Sequence, residues 1–181
     1  DTLGSRSVAV GHSALNNQNF TTATAAYNTA LGFFAGLAVT TGKENTIVGG
    51  LSGDALTVGS NNAVPGYFAL STDTKGSVSV AIGTSALESQ NFTTATNTYN
   101  VAVGGAAGAS ITTGIQNTIV GGLAGDALTD ADFNVAVGVT ALGGDTLGSR
   151  STAIGYSTLV NQNFTTATDT YNVAVGYEAG A

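Results

Sequence analysis

The sequence contains no Cys, no Met and no Trp, and it has one Pro among 181 residues. Without Cys the chain has neither a disulfide scaffold nor a thiolate metal site. Charged residues make up 8% of the chain, against about 25% in an ordinary globular domain. With Arg6, Lys43, Lys75 and Arg150 as its only Lys and Arg residues and a net charge of −7, the chain cannot build a basic patch, so nucleic acid is not an expected partner.

Long apolar runs are also missing. No stretch approaches the roughly 18 residues of a membrane span, and no signal peptide is recognisable, so we expect no membrane partner. The chain starts at Asp1 and has no initiator Met, which predicts a processed chain or a segment of a longer one. Gly, Ala and Thr are abundant instead, a composition that favours closely packed β structure.

Internal repeats explain this composition. The pentapeptide [N/S]-x-[A/I/V]-x-G recurs ten times. Its final glycines are spaced by 21, 17, 17 and 17 residues, and this cycle then repeats. These glycines are Gly11, Gly32, Gly49, Gly66, Gly83, Gly104, Gly121, Gly138, Gly155 and Gly176.

One cycle therefore spans 72 residues, and it is visible in residue identity. Residues 1–72 and 73–144 are identical at 43 of 72 positions, which is too many for a shared composition alone. Residues 145–181 begin a third cycle. We therefore predict one continuous repeat array over 1–181, without separate domains.

The unit length predicts the fold. Seventeen residues are too few for a helical repeat, and each unit has a short β-branched segment, a Gly and a small-residue step. These features predict an all-β parallel solenoid of about ten 17- or 21-residue coils, each with strand, tight turn, second strand and loop. At the usual strand spacing, ten coils would extend roughly 45–50 Å.

Stacked coils place equivalent residues in columns. Four residues before each Gly the column holds Asn or Ser, which predicts an axial hydrogen-bonded ladder. The positions one and two before the Gly are both apolar, which predicts that an Ala-rich outer face meets other chains. Pro65 interrupts one column and predicts a bulge or loosened coil. The asparagines of the ladder column are Asn28, Asn45, Asn62, Asn100, Asn117, Asn134 and Asn172.

Segments such as SVAVGHSAL, SVAIGTSAL and NVAVGYEAG resemble the repeats of phage tail-fibre proteins and the head repeats of trimeric autotransporter adhesins. The resemblance covers the whole chain. It implies a homotrimeric, left-handed parallel β-roll at the virion surface or outside the cell. The adhesin repeats are about fourteen residues long, so the 17- and 21-residue units here depart from that pattern.

These features predict a non-catalytic structural protein, the shaft of a phage tail fibre or a similar extracellular filament. Its expected partner is itself, as a homotrimer and through end-to-end association of unpaired terminal strands. The alternative is an adhesin or receptor-binding head that recognises host-surface glycans. Exposed aromatics after the unit Gly, such as Phe33, Phe34 and Tyr67, are compatible with sugar stacking or with an interface between chains.

The sequence predicts no catalytic residues. His12 is the only His, and it occupies a variable turn position. The equivalent residues Asp54 and Asp126 are four coils apart, about 19 Å, which is too far for a glycosidase pair. We therefore expect neither an enzyme nor a cofactor.

Two weaker site hypotheses remain. GGLSGDALT and GGDTLGS resemble the nonapeptide of calcium-binding β-rolls, and Asp54 and Asp126 are weak calcium candidates, although a Gly turn with an Asx-type hydrogen bond is the favoured explanation. Asn19, Asn91 and Asn163 each start an N-F-T sequon and are candidate glycosylation sites, although an unmodified loop fits them too.

Overall fold

A computed structural model describes residues 1–181 and shows an all-β parallel solenoid of about ten coils. Each coil adds one three-residue strand to a single ten-stranded parallel sheet, in chain order. Because equivalent repeat residues pair in register, such as Ala102 with Ile119, the columns read from the sequence exist in space. The ten strands are β2 (Val8–Val10), β4 (Thr29–Leu31), β5 (Thr46–Val48), β6 (Ala63–Pro65), β8 (Val80–Ile82), β10 (Val101–Val103), β11 (Thr118–Val120), β12 (Val135–Val137), β14 (Thr152–Ile154) and β16 (Val173–Val175).

Second strands form only at the three 21-residue coils, so the prediction of two strands in every coil was wrong. They pair as β1 (Gly4–Ser5) with β3 (Thr24–Ala25), β7 (Gly76–Ser77) with β9 (Thr96–Asn97), and β13 (Gly148–Ser149) with β15 (Thr168–Asp169). The reason lies in the backbone after the unit Gly. Residues two and four positions later have left-handed φ, as at Leu51 (54°) and Leu70 (49°), which an extended strand does not allow.

The two faces of the sheet are reversed relative to the sequence prediction. The middle residue of each internal strand is the buried one, and in most strands it is Ala, as at Ala102 and Ala136. The first and third residues point outward, as the two-residue period of a strand requires. The Ala-rich column therefore lines the narrow interior, and the Val- and Ile-rich columns form the outer face.

The interior is filled by compensation between two columns. Some coils have Leu four residues after the unit Gly, as at Leu70 and Leu87. In these coils the residue seven positions after the same Gly is polar. In the other coils the residue four after the unit Gly is itself Gly, and in all but the last of them the residue seven after the unit Gly is apolar and fills the volume that Leu would occupy. A Cβ added at Gly108 would lie 2.9 Å from Cδ1 of Ile111, so Ile111 occupies that volume. The Leu and Gly alternation in the sequence thus keeps the core volume constant.

The predicted asparagine ladder is present and buried. The backbone N–H of Asn117 donates to Oδ1 of Asn100 (2.9 Å), and that of Asn134 donates to Oδ1 of Asn117 (2.9 Å). In the six ladder asparagines before Asn172, Nδ2 also donates to a backbone carbonyl fourteen residues later, such as that of Ala131. The ladder therefore satisfies buried polar groups in each coil and ties the coil to the next.

At each 21-residue coil a different polar network replaces the ladder. Gln90 Nε2 donates to Oδ2 of Asp73 (2.6 Å) and to the Ser79 hydroxyl (3.0 Å), while Asn100 Nδ2 donates to Oε1 of Gln90 (2.8 Å). Oδ1 of Asp73 accepts from the backbone N–H of Gly76 and of Phe92. The segment around Gln90, which reads SQNF here and NQNF at residues 17–20 and 161–164, thus connects one block of three Asn coils to the next.

The unit glycines have a conformational role. Nine of the ten have φ between 127° and 141°, a region that side-chain-bearing residues rarely adopt. The exception is Gly66, which follows Pro65. Pro65 stays inside strand β6 without a bulge, but pairing of β6 with β8 shrinks to Ala63 with Val80. None of the elements is a helix of the length and hydrophobicity needed to cross a membrane.

Candidate functional site

The largest candidate site is the outer face of the ten-stranded sheet. We call it the outer sheet face and define it as the first and third residue of each strand. No member is charged, and all are β-branched except Leu31, Ala63 and Pro65. The members are Val8, Val10, Thr29, Leu31, Thr46, Val48, Ala63, Pro65, Val80, Ile82, Val101, Val103, Thr118, Val120, Val135, Val137, Thr152, Ile154, Val173 and Val175.

Much of this apolar surface is open to solvent. Val10 and Leu31 are about half exposed, and Ile82 and Ile154 are 38% exposed. A continuous uncharged strip of this kind is unusual on the surface of a monomeric protein, which makes this face a candidate interaction site.

Two residues before each strand of the ten-stranded sheet lies a residue with left-handed φ, and these residues form one border of the outer sheet face. Arg150 lies between two aromatic rings, 4.5 Å from the Phe133 centroid and 5.9 Å from that of Tyr171, and its Nε contacts Asp169 at 3.0 Å. This border is the pre-strand ridge: Arg6, Tyr27, Glu44, Asn61, Val78, Tyr99, Gln116, Phe133, Arg150 and Tyr171.

After each unit Gly a second line of residues borders the opposite side. The rings of Phe33 and Phe34 stack at 4.0 Å, His12 lies 5.5 Å from Phe33, and Tyr156 stacks on Tyr177 at 5.2 Å. This border is the post-strand ridge: His12, Phe33, Gly50, Tyr67, Thr84, Gly105, Gly122, Val139, Tyr156 and Tyr177.

The post-strand ridge has a gap at two successive glycines. A Cβ added at Gly105 would meet nothing within 4 Å, and one added at Gly122 would reach only the Gly105 carbonyl, at 4.0 Å. At Gly50, by contrast, the ring of Tyr67 leans over the glycine and lies 3.4 Å from where a Cβ would be. The ridge therefore has aromatic side chains toward both ends and an open notch in its middle.

The two calcium candidates are isolated carboxylates in the structure. Asp54 and Asp126 lie in coils separated by three others, and no group of three or more His, Cys, Asp or Glu side chains is placed to hold a metal ion. Oδ1 of Asp54 is buried without a hydrogen-bond partner. Calcium binding between chains at these residues stays a prediction.

Asp54→Asn is expected to raise the melting temperature at neutral pH. Burial is the main cause that raises the pKa of Asp54 above its ordinary value of 3.8, and backbone hydrogen bonds partly offset it. The ionised form therefore destabilises the fold above that raised pKa, and the penalty fades as the pH falls towards 3.8. Thermal melts of parent and variant at several pH values measure this difference.

Asp126→Asn should behave in the same way, because burial raises the pKa of Asp126 too. The exposed Asp130 provides the control, and Asp130→Asn should leave the melting temperature nearly unchanged. A stabilisation by Asp54→Asn of the same size at every pH would contradict the explanation by burial of charge. Repeating the melts with calcium and with a chelator tests the metal hypothesis on the same samples.

The three sequon asparagines occupy one column on the outside of the solenoid. The backbone N–H of Asn91 donates to the Thr112 carbonyl, and its Oδ1 accepts from the Thr74 hydroxyl at 3.2 Å. Asn163 accepts from Thr146 in the same way, and Asn19 from Thr2. In all three, Oδ1 is the side-chain atom that is hydrogen-bonded, which leaves Nδ2 free for a glycan. Their modification stays a prediction.

The remaining sequence candidates do not converge on a reaction centre. His12 is exposed, as expected, and it packs against the rings of Phe33 and Phe34. The surface forms no pocket. No family model matches the chain, and neither a curated protein nor a solved structure matches it.

Sequence reasoning missed the polar network at the 21-residue coils. A signal was available, because Asp occurs at 1, 73 and 145 and Gln at 18, 90 and 162, each pair at the same spacing. The pattern repeats with the 72-residue cycle, and in the structure each Gln donates to its Asp.

Proposed function

We propose that the chain is a non-catalytic structural segment, the shaft of a phage tail fibre or of a similar extracellular filament. The observation that carries the proposal is the combination of uninterrupted coil stacking with an uncharged outer sheet face. Backbone and side-chain hydrogen bonds join each coil to the next, so an axial load is distributed over many bonds. In such arrays the number of repeats sets the length.

The shaft is proposed to contain several copies of the chain, three by its resemblance to trimeric fibres. The outer sheet face and its ridges are roughly 45 Å long and 20 Å wide at the usual strand spacing and rise. This area, about 900 Å², is similar to the roughly 800 Å² that each partner buries in a stable interface. Burying uncharged β-branched side chains there removes apolar surface from water without burying a charge.

The expected assembly is a rod at the virion surface or outside the cell, with no nucleic acid, cofactor or membrane as partner. The 181-residue chain should elute from a sizing column as an oligomer and appear as short rods by electron microscopy. Val103→Lys with Val120→Lys, which places two charges at the centre of the face, should return it to a monomer. Static light scattering measures the mass.

The matched control is Thr57→Lys with Thr129→Lys, since these residues lie on another side of the solenoid and are only half buried. This pair should keep the oligomer. A parent chain that stays monomeric at all concentrations would contradict the shaft proposal.

A second candidate function is a head that binds surface glycans. One observation favours it: the exposed rings of Phe33 and Tyr67, each about half exposed, belong to a strip that also contains Phe34 and Phe68. Aromatic faces of this kind can stack on the C–H faces of sugar rings. Glycan-array binding that Phe33→Ala abolishes would favour the head over the shaft.

A further inference from the structure

We propose that copies of this chain assemble in parallel and in register, so that the post-strand ridge of one copy packs on the pre-strand ridge of the next at the same strand. The inference rests on the proposed self-association through the outer sheet face, and it specifies which ridges of neighbouring copies come into contact. The occupant of the notch at Gly105 is then Tyr99 of a second copy.

The geometry follows from the direction of the strands. In a closed ring of copies around the solenoid axis, all strands run around the axis in the same sense. The end of a strand in one copy therefore faces the start of the equivalent strand in its neighbour. This holds for two copies and for three, whereas an antiparallel pair would bring like ridges together in reversed coil order.

At each strand, the two residues that meet are six apart in sequence, and at Tyr99 and Gly105 their sizes are complementary. Tyr99 is 53% exposed and projects from the pre-strand ridge. The residue opposite it is Gly105, where a side chain would find open space within 4 Å. A large ring on one ridge thus meets the notch of the other ridge at the same level.

Charge and ring chemistry agree with the same pairing. The post-strand ridge has no Asp, Glu, Lys or Arg, so no ionised carboxylate or cation of the pre-strand ridge meets a like charge. Arg150 would face Tyr156, which suits a cation–π contact, and Phe133 would face Val139. In the isolated chain Tyr156 and Val139 are about half exposed, and although the ring of Tyr156 stacks on Tyr177, part of each side chain is open to these partners.

The chain is well suited to a cross-linking test because it has no Cys of its own. Tyr99→Cys with Gly105→Cys introduces two thiols on opposite sides of the strand Val101–Val103, which with one residue on either side spans about 13 Å at the rise of an extended strand. A short bis-maleimide cannot bridge that distance, so a covalent link must join two chains. The expected product on a denaturing gel is a closed dimer or trimer in high yield.

Tyr99→Cys with Gly50→Cys is the matched control. It carries the same chemistry, but its two positions belong to strands three apart, a displacement of about 14 Å along the axis. It should stay monomeric on the gel, as should each single-Cys variant. Equal linking of both pairs, linking by single variants, or no linking in a chain that is oligomeric would overturn the in-register arrangement and leave self-association standing. A monomeric parent chain would overturn both.

A size exchange tests the notch without cross-linker. Gly105→Phe fills the notch and should weaken association at least about tenfold, because overpacking a fitted contact is costly. The monomer should keep its circular dichroism spectrum, since this position is open in the isolated chain. Adding Tyr99→Gly should restore the affinity. A Gly105→Phe chain that associates like the parent would place the notch outside the interface.

Discussion

Gly121→Ala is expected to destabilise the solenoid by about 3 kcal/mol or more, and Gly122→Ala by less than about 0.5 kcal/mol. Gly121 has φ 137°, and its added Cβ would overlap the Gly138 carbonyl of the next coil. Backbone strain and this collision act together, because the stacked coil cannot move away without breaking its own hydrogen bonds. In a chain of this size the loss corresponds to a fall of roughly 6–12 °C in melting temperature.

Gly122 is the next residue in sequence after Gly121. The two variants therefore have the same composition, and both substitutions lie in the same coil. A Cβ added at Gly122 would have the Gly105 carbonyl as its nearest atom, at 4.0 Å. Thermal melts of the two variants at one protein concentration give the difference directly. Equal losses for both variants would mean that chain entropy rather than the backbone conformation at Gly121 sets the requirement for glycine.

The solenoid itself was predictable because its repeat is strict. Gly spacing of 17 and 21 residues, with apolar and Asn columns in phase, leaves parallel stacking as the arrangement that aligns all of them. The Asn ladder followed for the same reason, since Asn100, Asn117 and Asn134 fall into one column. The parallel stacking of the coils was thus predictable from the repeat period, and the structure confirms it.

The assignment of the two faces failed for a physical reason. Both columns are apolar, so hydrophobicity alone does not say which one turns inward. Side-chain size does not decide it either, because the inward column holds Ala136 but also the buried Ile47 and Ile119. Val135 and Val137 point outward because they flank the inward residue in the two-residue period of the strand.

The candidate interface was only partly visible in the sequence. The exposed aromatics after the unit Gly were recognised, but the pre-strand ridge was not, because its residue types have no common chemistry. Arg6, Glu44 and Tyr99 share a left-handed φ and a place in the coil, and only the structure shows both. The pairing that we propose between these residues and those six positions later rests on the strand direction.

Asp73→Ala is expected to cost about 3 kcal/mol or more, the second large effect. Asp73 is fully buried, and its carboxylate accepts from Gln90 Nε2 at 2.6 Å and from the backbone N–H groups of Gly76 (3.0 Å) and Phe92 (3.1 Å). Truncation leaves these donors buried without an acceptor, and each unsatisfied donor costs about 1–3 kcal/mol. The melting temperature measured by circular dichroism reports the loss.

Two variants separate this network from a general effect of removing charge. Asp73→Asn keeps one oxygen acceptor but turns an amide N–H₂ towards the network, so its loss should be intermediate. Asp130→Ala removes an exposed carboxylate that is bonded only to the Thr113 hydroxyl, and it should change stability by less than about 0.5 kcal/mol. A melting temperature that rises from Asp73→Ala through Asp73→Asn to the parent chain would identify lost hydrogen-bond acceptors as the cause. An Asp73→Ala chain that melts like the parent would show that the blocks of Asn coils hold together without the Asp and Gln pair, through backbone stacking alone.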